Sequence, residues 1–268
     1  MQIRGYNDRV REIQQLLNLG NFSEKTQREE LKKYCLALDS DDQLNSGYFQ
    51  QMRDEELDLF RRQSDYKRWD NSPQRCLLVL SGYNNASING IDQCWMSPVA
   101  TAKIGNLDKE CGRTIYAYSI LPQLGKLAYD VLSEILLQLL TRKIHVLRDE
   151  KQYTELFWEL QKFRDCGKLS KSEANDEQML ATFHRVALSA VNFFDESESV
   201  YIIVDRVDRC RDWKKVDHRK ILLKCLVKLV EGARCNLKVL AVINGRSWPV
   251  GKYKDIIGKN MKEKVLIR

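Results

Sequence analysis

Two carboxylates, Asp205 and Asp208, stand at the end of the apolar run from Val200 to Val204, and that spacing is where this sequence speaks most clearly of chemistry. Tyr201 to Val204 are apolar or β-branched, as a strand buried on both faces requires. The carboxyl end of such a strand is where open α/β sheets bind ligands. Carboxylates placed there can hold a hard cation and water. A structural role fits the same residues: Asp205 can cap or salt-bridge the end of a buried strand. Arg206 and Arg209, beside the pair, could neutralise the charge a metal would need. Both readings stay open.

Other residues could serve the same site. The apolar run Cys76 to Leu80 ends at Ser81-Gly82, and the polar stretch from Gly82 to Trp95 offers backbone N–H groups to an anion, with a helix start at Ser97. A surface loop without a ligand is the simpler reading of that stretch. Arg246, within Asn244-Gly-Arg-Ser-Trp-Pro249, could contact a phosphate in bidentate fashion, although solvent exposure or pairing with Asp205 explains it as well. Trp95 and Trp248 read as packing residues. The eight cysteines include no Cys-x-x-Cys pair, and His145, His184 and His218 have no partner at ligand spacing, so neither zinc nor a disulfide framework is signalled.

At 268 residues and 43% hydrophobic composition, the chain can build one large α/β domain with a smaller helical segment. No apolar stretch approaches the roughly 20 residues that span a bilayer, and Met1 to Arg11 is polar and unlike a signal peptide. A cytoplasmic protein without a membrane partner is expected. The net charge of +7 is concentrated at the carboxyl end, where seven cations from Arg246 to Arg268 face only Asp255 and Glu263. A solvated basic face is favoured there over a nucleic-acid surface, because no aromatic interleaving accompanies the charge.

The elements that must position these residues follow from periodicity. Val10, Ile13, Leu16 and Leu17 share a helical face, Ser23 can cap a second helix containing Leu31, Tyr34 and Leu38, and a third helix is expected over Tyr48 to Gln63. Asn71-Ser72-Pro73 breaks that pattern before the first strand. Ser97 as cap and Pro98 at the first helical position start the next helix. Thr114 to Ser119, Tyr201 to Val204, Leu237 to Ile243 and Val265 to Ile267 read as further strands. Amphipathic helices run around Leu127 to Leu139, Met179 to Phe194 and Ile221 to Leu229. A surface loop is expected over Lys168 to Asp176. The alternation predicts βα units around a mainly parallel sheet, with a helical segment over residues 1–70 and the α/β domain over 71–268.

An aliphatic strand ending in glycine, a distant strand ending in Asp-x-x-Asp, and a third ending in Asn244-Gly245-Arg246 resemble, in their order, a P-loop ATPase of the additional-strand type. More narrowly, the chain resembles the NACHT group of STAND signalling ATPases, as in fungal NOD-like receptors and nephrocystin-type proteins. Tyr66 to Trp69, Leu77 to Gly82, Tyr116 to Ser119, Val200 to Cys210 and Leu237 to Pro249 carry the likeness. The resemblance implies a three-layer P-loop fold preceded by helices, ATP or ADP with Mg2+ as cofactors, and protein partners or a homo-oligomer. It implies Asp205 as the magnesium carboxylate, Asp208 as the water-orienting acid, and Arg246 on the γ-phosphate.

That family's phosphate loop reads G-x-x-x-x-G-K-[ST]. Counted from Gly82, Ser87, Ile88 and Asn89 stand for the second glycine, the lysine and the hydroxyl residue, so the cation is lost. A degenerate Walker A loop beside a near-intact Walker B strand predicts a signalling or innate-immunity-type module that works through protein interaction and hydrolyses little or no ATP. Two alternatives stand beside it. One is an Mg-dependent nucleoside triphosphatase with Lys103, Arg113 or Arg246 as substitute cation. The other is a nucleic-acid-binding module using the basic carboxyl end.

Overall fold

The computed structural model of the chain describes residues 2–39, 58–82, 96–110, 114–169, 176–213, 216–245, 247–248 and 265–267. Seven strands occur among them: β1 (Cys76–Gly82), β2 (Ile115–Ile120), β3 (Ser199–Asp205), β4 (Asp212–Trp213), β5 (Val216–Asp217), β6 (Asn236–Asn244) and β7 (Val265–Ile267). Five form one parallel sheet in the order β2-β3-β6-β1-β7, while β4 and β5 make a small antiparallel ladder. The helices are α1 (Gln2–Leu16), α2 (Glu24–Asp39), α3 (Ser64–Asn71), α4 (Ser97–Lys109), α5 (Ala128–Arg142), α6 (Ile144–Arg148), α7 (Glu150–Leu169), α8 (Asp176–Val191) and α9 (His218–Gly232).

Strand periodicity sends alternate residues into two apolar layers. Leu77, Val79, Ala117, Ile202, Val204, Val239 and Ala241 face a large core shared with α1 and α5 to α9. Cys76, Leu78, Leu80, Tyr118, Ile203, Leu240 and Val242 face a smaller one shared with α3 and α4, with Leu31 and Tyr34 of α2 packed against it. Helices on both faces of a parallel sheet meet the α/β expectation. The expected second strand is Ile115–Ile120, one residue later than the sequence suggested. Most of the helix expected over Tyr48 to Gln63 lies outside the described residues; 58–62 are helical. The surface loop expected over Lys168 to Asp176 largely lies outside them too.

Ser23 caps α2 as expected, its Oγ accepting the Thr26 N–H at 3.0 Å. α1 and α2 lie on opposite faces of the sheet, so the turn between them wraps the β2 edge. That edge exposes unpaired backbone, a liability that side chains cover here. Gln138 accepts the Tyr118 N–H at 3.0 Å and donates to its carbonyl at 2.8 Å. Gln27 of α2 donates to the same carbonyl at 3.1 Å. No helix among the described residues is long and apolar enough to cross a membrane.

Candidate functional site

β3 is apolar through Val204 and delivers Asp205 as its last residue, fully buried beside the start of α4. A buried carboxylate must find donors, and it finds two. Tyr34 of α2 donates its hydroxyl to Asp205 Oδ2 at 2.7 Å, and Ser97 donates to Oδ1 at 3.0 Å. The two hydroxyl oxygens are 3.1 Å apart, closing a triangle. Burial pushes the Asp205 carboxyl up to about 6, opposed by the hydrogen bonds from Tyr34 and Ser97 and by the nearby Arg206 cation.

Ser97 therefore departs from its expected role. It sits in the first turn of α4, with Met96 at the N-cap and no side-chain cap, and its hydroxyl serves Asp205 instead. Pro98 is the second helical residue, one position later than expected, where its missing N–H still costs nothing in the first turn.

Asp208 lies three residues on, in the 3-10 turn Val207–Arg209. Arg206 adopts a left-handed backbone with φ of 66°, which folds its guanidinium back onto Asp208. Arg206 Nη2 donates to Oδ2 at 2.9 Å, and Nε lies 3.1 and 3.2 Å from the two carboxylate oxygens. The Asn244 N–H donates to Oδ1 at 2.8 Å, tying the end of β6 to the turn after β3. Both members of the ion pair are buried. The neutralisation foreseen for these carboxylates is thus present at Asp208, where Arg206 supplies it.

Neighbouring backbone stitches this end of the sheet together. Leu121 donates to the Asp205 carbonyl at 3.2 Å, Gly125 to the Arg209 carbonyl at 3.3 Å, and Arg211 to the Lys126 carbonyl at 2.9 Å. Gly125 has a φ of 131°, a conformation open to glycine and strained for other residues.

As arranged, these carboxylates do not fit a magnesium ion. Mg2+ is bound by one or two free carboxylates in near-octahedral geometry, whereas Asp205 has a hydroxyl on each oxygen and Asp208 is held by a guanidinium and a backbone N–H. Among the described residues, no three His, Cys, Asp or Glu side chains cluster as a metal site.

Of the other expected site residues, Gly82 ends β1 in register with Asn244. Ser87, Asn89 and Arg246 lie outside the described residues, as do Trp95 and Arg113. Trp248 is buried in the larger core beneath Arg219, in keeping with a packing role. Lys103 is corrected as a substitute cation. Its ammonium pairs with Asp70 at 2.5 Å and lies 4.7 Å from the Tyr201 ring centroid, at the amino end of β3 and away from Asp205. Tyr34 was missed by sequence reasoning, as was the link from Ser97 to Asp205. Their partner is 171 and 108 residues away, and no local pattern announces it.

A cleft of about 270 Å³ at the β2 edge includes Tyr116, Tyr118, Arg28 and Arg142 in its lining. Its charges are internally balanced. Arg28 pairs with Glu24 and Asp108, and Arg142 with Glu24. Comparison with protein-family models and with curated proteins finds no match to this chain.

Proposed function

We propose that the chain is a degenerate NACHT-like module of the STAND type, which keeps a P-loop NTPase-like fold for protein interaction in intracellular signalling and hydrolyses little or no ATP. One observation carries the reading. The two carboxylates that would serve magnesium and water are consumed by the protein itself, Asp205 by Tyr34 and Ser97, and Asp208 by Arg206 and the Asn244 N–H.

The strand order supports the kinship. β6 stands between β1 and β3, as the extra strand does in P-loop ATPases of the additional-strand type. The start of α4 also supports a revised register for the loop. Taking Ser97 as the hydroxyl residue, G-x-x-x-x-G-K-[ST] falls on Gly90, Trp95, Met96 and Ser97. The first glycine and the hydroxyl are kept, whereas tryptophan replaces the second glycine and methionine replaces the lysine. A methionine supplies no charge to a phosphate, and losing one charge-assisted contact costs about 1.5–3 kcal/mol, or one to two decades of affinity.

Phosphate release from ATP with Mg2+ tests the reading. Wild-type protein and the Asp205→Ala variant are both expected at background. Hydrolysis by wild type that disappears in Asp205→Ala would establish an active ATPase instead.

A further inference from the structure

We infer that the cleft at the β2 edge binds a small organic acid, carboxylate or phosphate, which seats its oxyanion in the place of Glu24, between Arg28 and Arg142. The site is separate from the carboxyl end of β3: Asp205 and Asp208 take their hydrogen bonds from residues outside its lining. The inference goes beyond the proposed function and does not rest on it.

The charges carry the argument. Glu24 gives one oxygen, Oε1, to both guanidiniums, at 3.2 Å from Arg28 Nη2 and 3.4 Å from Arg142 Nη2. Two cations from separate helices, α2 and α5, are thereby gathered around a single carboxylate oxygen, as arginines gather around a bound carboxylate or phosphate. Glu24 is a weak occupant of that place. Its side chain is 62% exposed, and those of Arg28 and Arg142 are 57% and 42% exposed, so solvent screens both pairs. An oxyanion that is free of the chain can turn to face both guanidiniums and replace it. Arg28 keeps Asp108 at 3.2 Å when Glu24 swings away, whereas Arg142 has no second carboxylate among the described residues. Arg142, which also lies 5.8 Å from the Tyr116 ring centroid, is therefore the stronger anchor.

Two buried polar groups of the lining call for a ligand as well. Tyr118 is 4% exposed, and its hydroxyl bonds nothing among the described residues. Burial holds that phenol above its ordinary pKa, so it stays a donor. Gln27 is 8% exposed and spends its Nε2 on the Tyr118 carbonyl, which leaves Oε1 without a partner among the described residues. Buried polar groups are ordinarily paired. A donor and an acceptor left over in one cleft match an oxyanion and a hydroxyl carried by one small molecule. Phe22 and Leu137 add apolar wall. At about 270 Å³ the cleft is small beside the roughly 300–1,000 Å³ of drug-sized sites, which suits a single ring or a short branched chain.

Phenyl phosphate, benzoate and inorganic phosphate, each titrated against the full chain and followed by amide chemical shifts in NMR, test the site. Saturable binding of phenyl phosphate or benzoate is expected to move the amides of residues 23–28, 116–118 and 137–142, and the tighter of the two tells a phosphate ligand from a carboxylate one. Arg142→Gln should weaken that binding roughly 10- to 100-fold, as loss of a charge-assisted contact implies, and by more than Arg28→Gln does. Glu24→Gln should tighten it roughly 2- to 10-fold, because the competing carboxylate is gone. A salt bridge with only a structural role would give no such gain. Four results would overturn the inference: no saturable shifts with any probe up to millimolar concentration, shifts confined to other residues, inorganic phosphate binding as tightly as both organic acids, or unchanged or weaker binding in Glu24→Gln. If Arg142→Gln does not fold, Glu24→Gln, at a mostly exposed position, decides alone.

Discussion

The two ends of the parallel sheet both bury charge, and they do so in opposite ways. At the amino end the charges are cations. Lys238 of β6 donates to the carbonyls of Ser72 and, at 2.7 Å, Gln74. Lys103 pairs with Asp70 and lies over Tyr201 and Trp69. At the carboxyl end the carboxylates Asp205 and Asp208 are buried together with Arg206 and Arg209, and Asp205 is held by the hydroxyls of Tyr34 and Ser97. The amino end is fastened by the turn ahead of β1 and by side chains packed in the smaller core. Its bonds therefore belong to the fold. The carboxyl end, where α/β sheets bind ligands, satisfies its carboxylates with donors from α2, α4, the turn after β3 and the end of β6. The difference separates cations that tie the sheet to the turn ahead of β1 from carboxylates whose donors come from four elements meeting at the opposite end.

The largest expected effect comes from the Arg206–Asp208 pair. Removing one partner of a buried ion pair leaves the other uncompensated, so Arg206→Ala should cost about 3–5 kcal/mol by denaturant unfolding. A loss below about 1 kcal/mol would mean that water reaches Asp208 and that the pair is a surface contact.

Smaller, and opposite in sign at the two ends, are the contributions to stability against pH. Asp205 binds its proton more tightly in the folded protein, with its carboxyl raised to about 6 by burial. Stability should therefore fall as pH rises from about 4 to about 6, by up to about 3 kcal/mol. Lys238 is lowered by burial to about 8, so the folded protein binds that proton less tightly. Stability should recover as pH climbs from about 8 to about 10.5. Thermal unfolding across this range checks both limbs. Asp205→Asn should flatten the acid limb alone, and Lys238→Met the alkaline one. An acid limb that survives in Asp205→Asn would assign it to another carboxylate.

Much of the sheet was legible because buried strands in parallel sheets are written as continuous apolar runs, as in Cys76 to Leu80 and Leu237 to Ile243. Val265 to Ile267, though short, also pairs as a strand, on β1. α7 carried a usable signal as well: Tyr153, Leu156, Leu160 and Phe163 recur at helical spacing and are all buried. The carboxylates of the site could be read from the end of β3. Arg206, the partner of Asp208, could be read beside them, but the hydroxyls on Asp205 could not. Tyr34 looks like one more residue on an amphipathic helix, and a serine before a proline looks like a cap. Only the tertiary fold brings those hydroxyls to Asp205. The loop can be counted from either end. Counting forward from Gly82 places Ile88 where a lysine would stand, and counting back from Ser97, where α4 starts, places Met96 there.

Calorimetric titration of the full chain with ATP and with ADP, each with and without Mg2+, bears most directly on whether the carboxyl end is closed. The geometry of Asp205, Asp208 and Met96 predicts no saturable binding up to millimolar nucleotide. Micromolar binding that requires Mg2+ and is lost in Asp205→Ala would contradict it and establish a working nucleotide site.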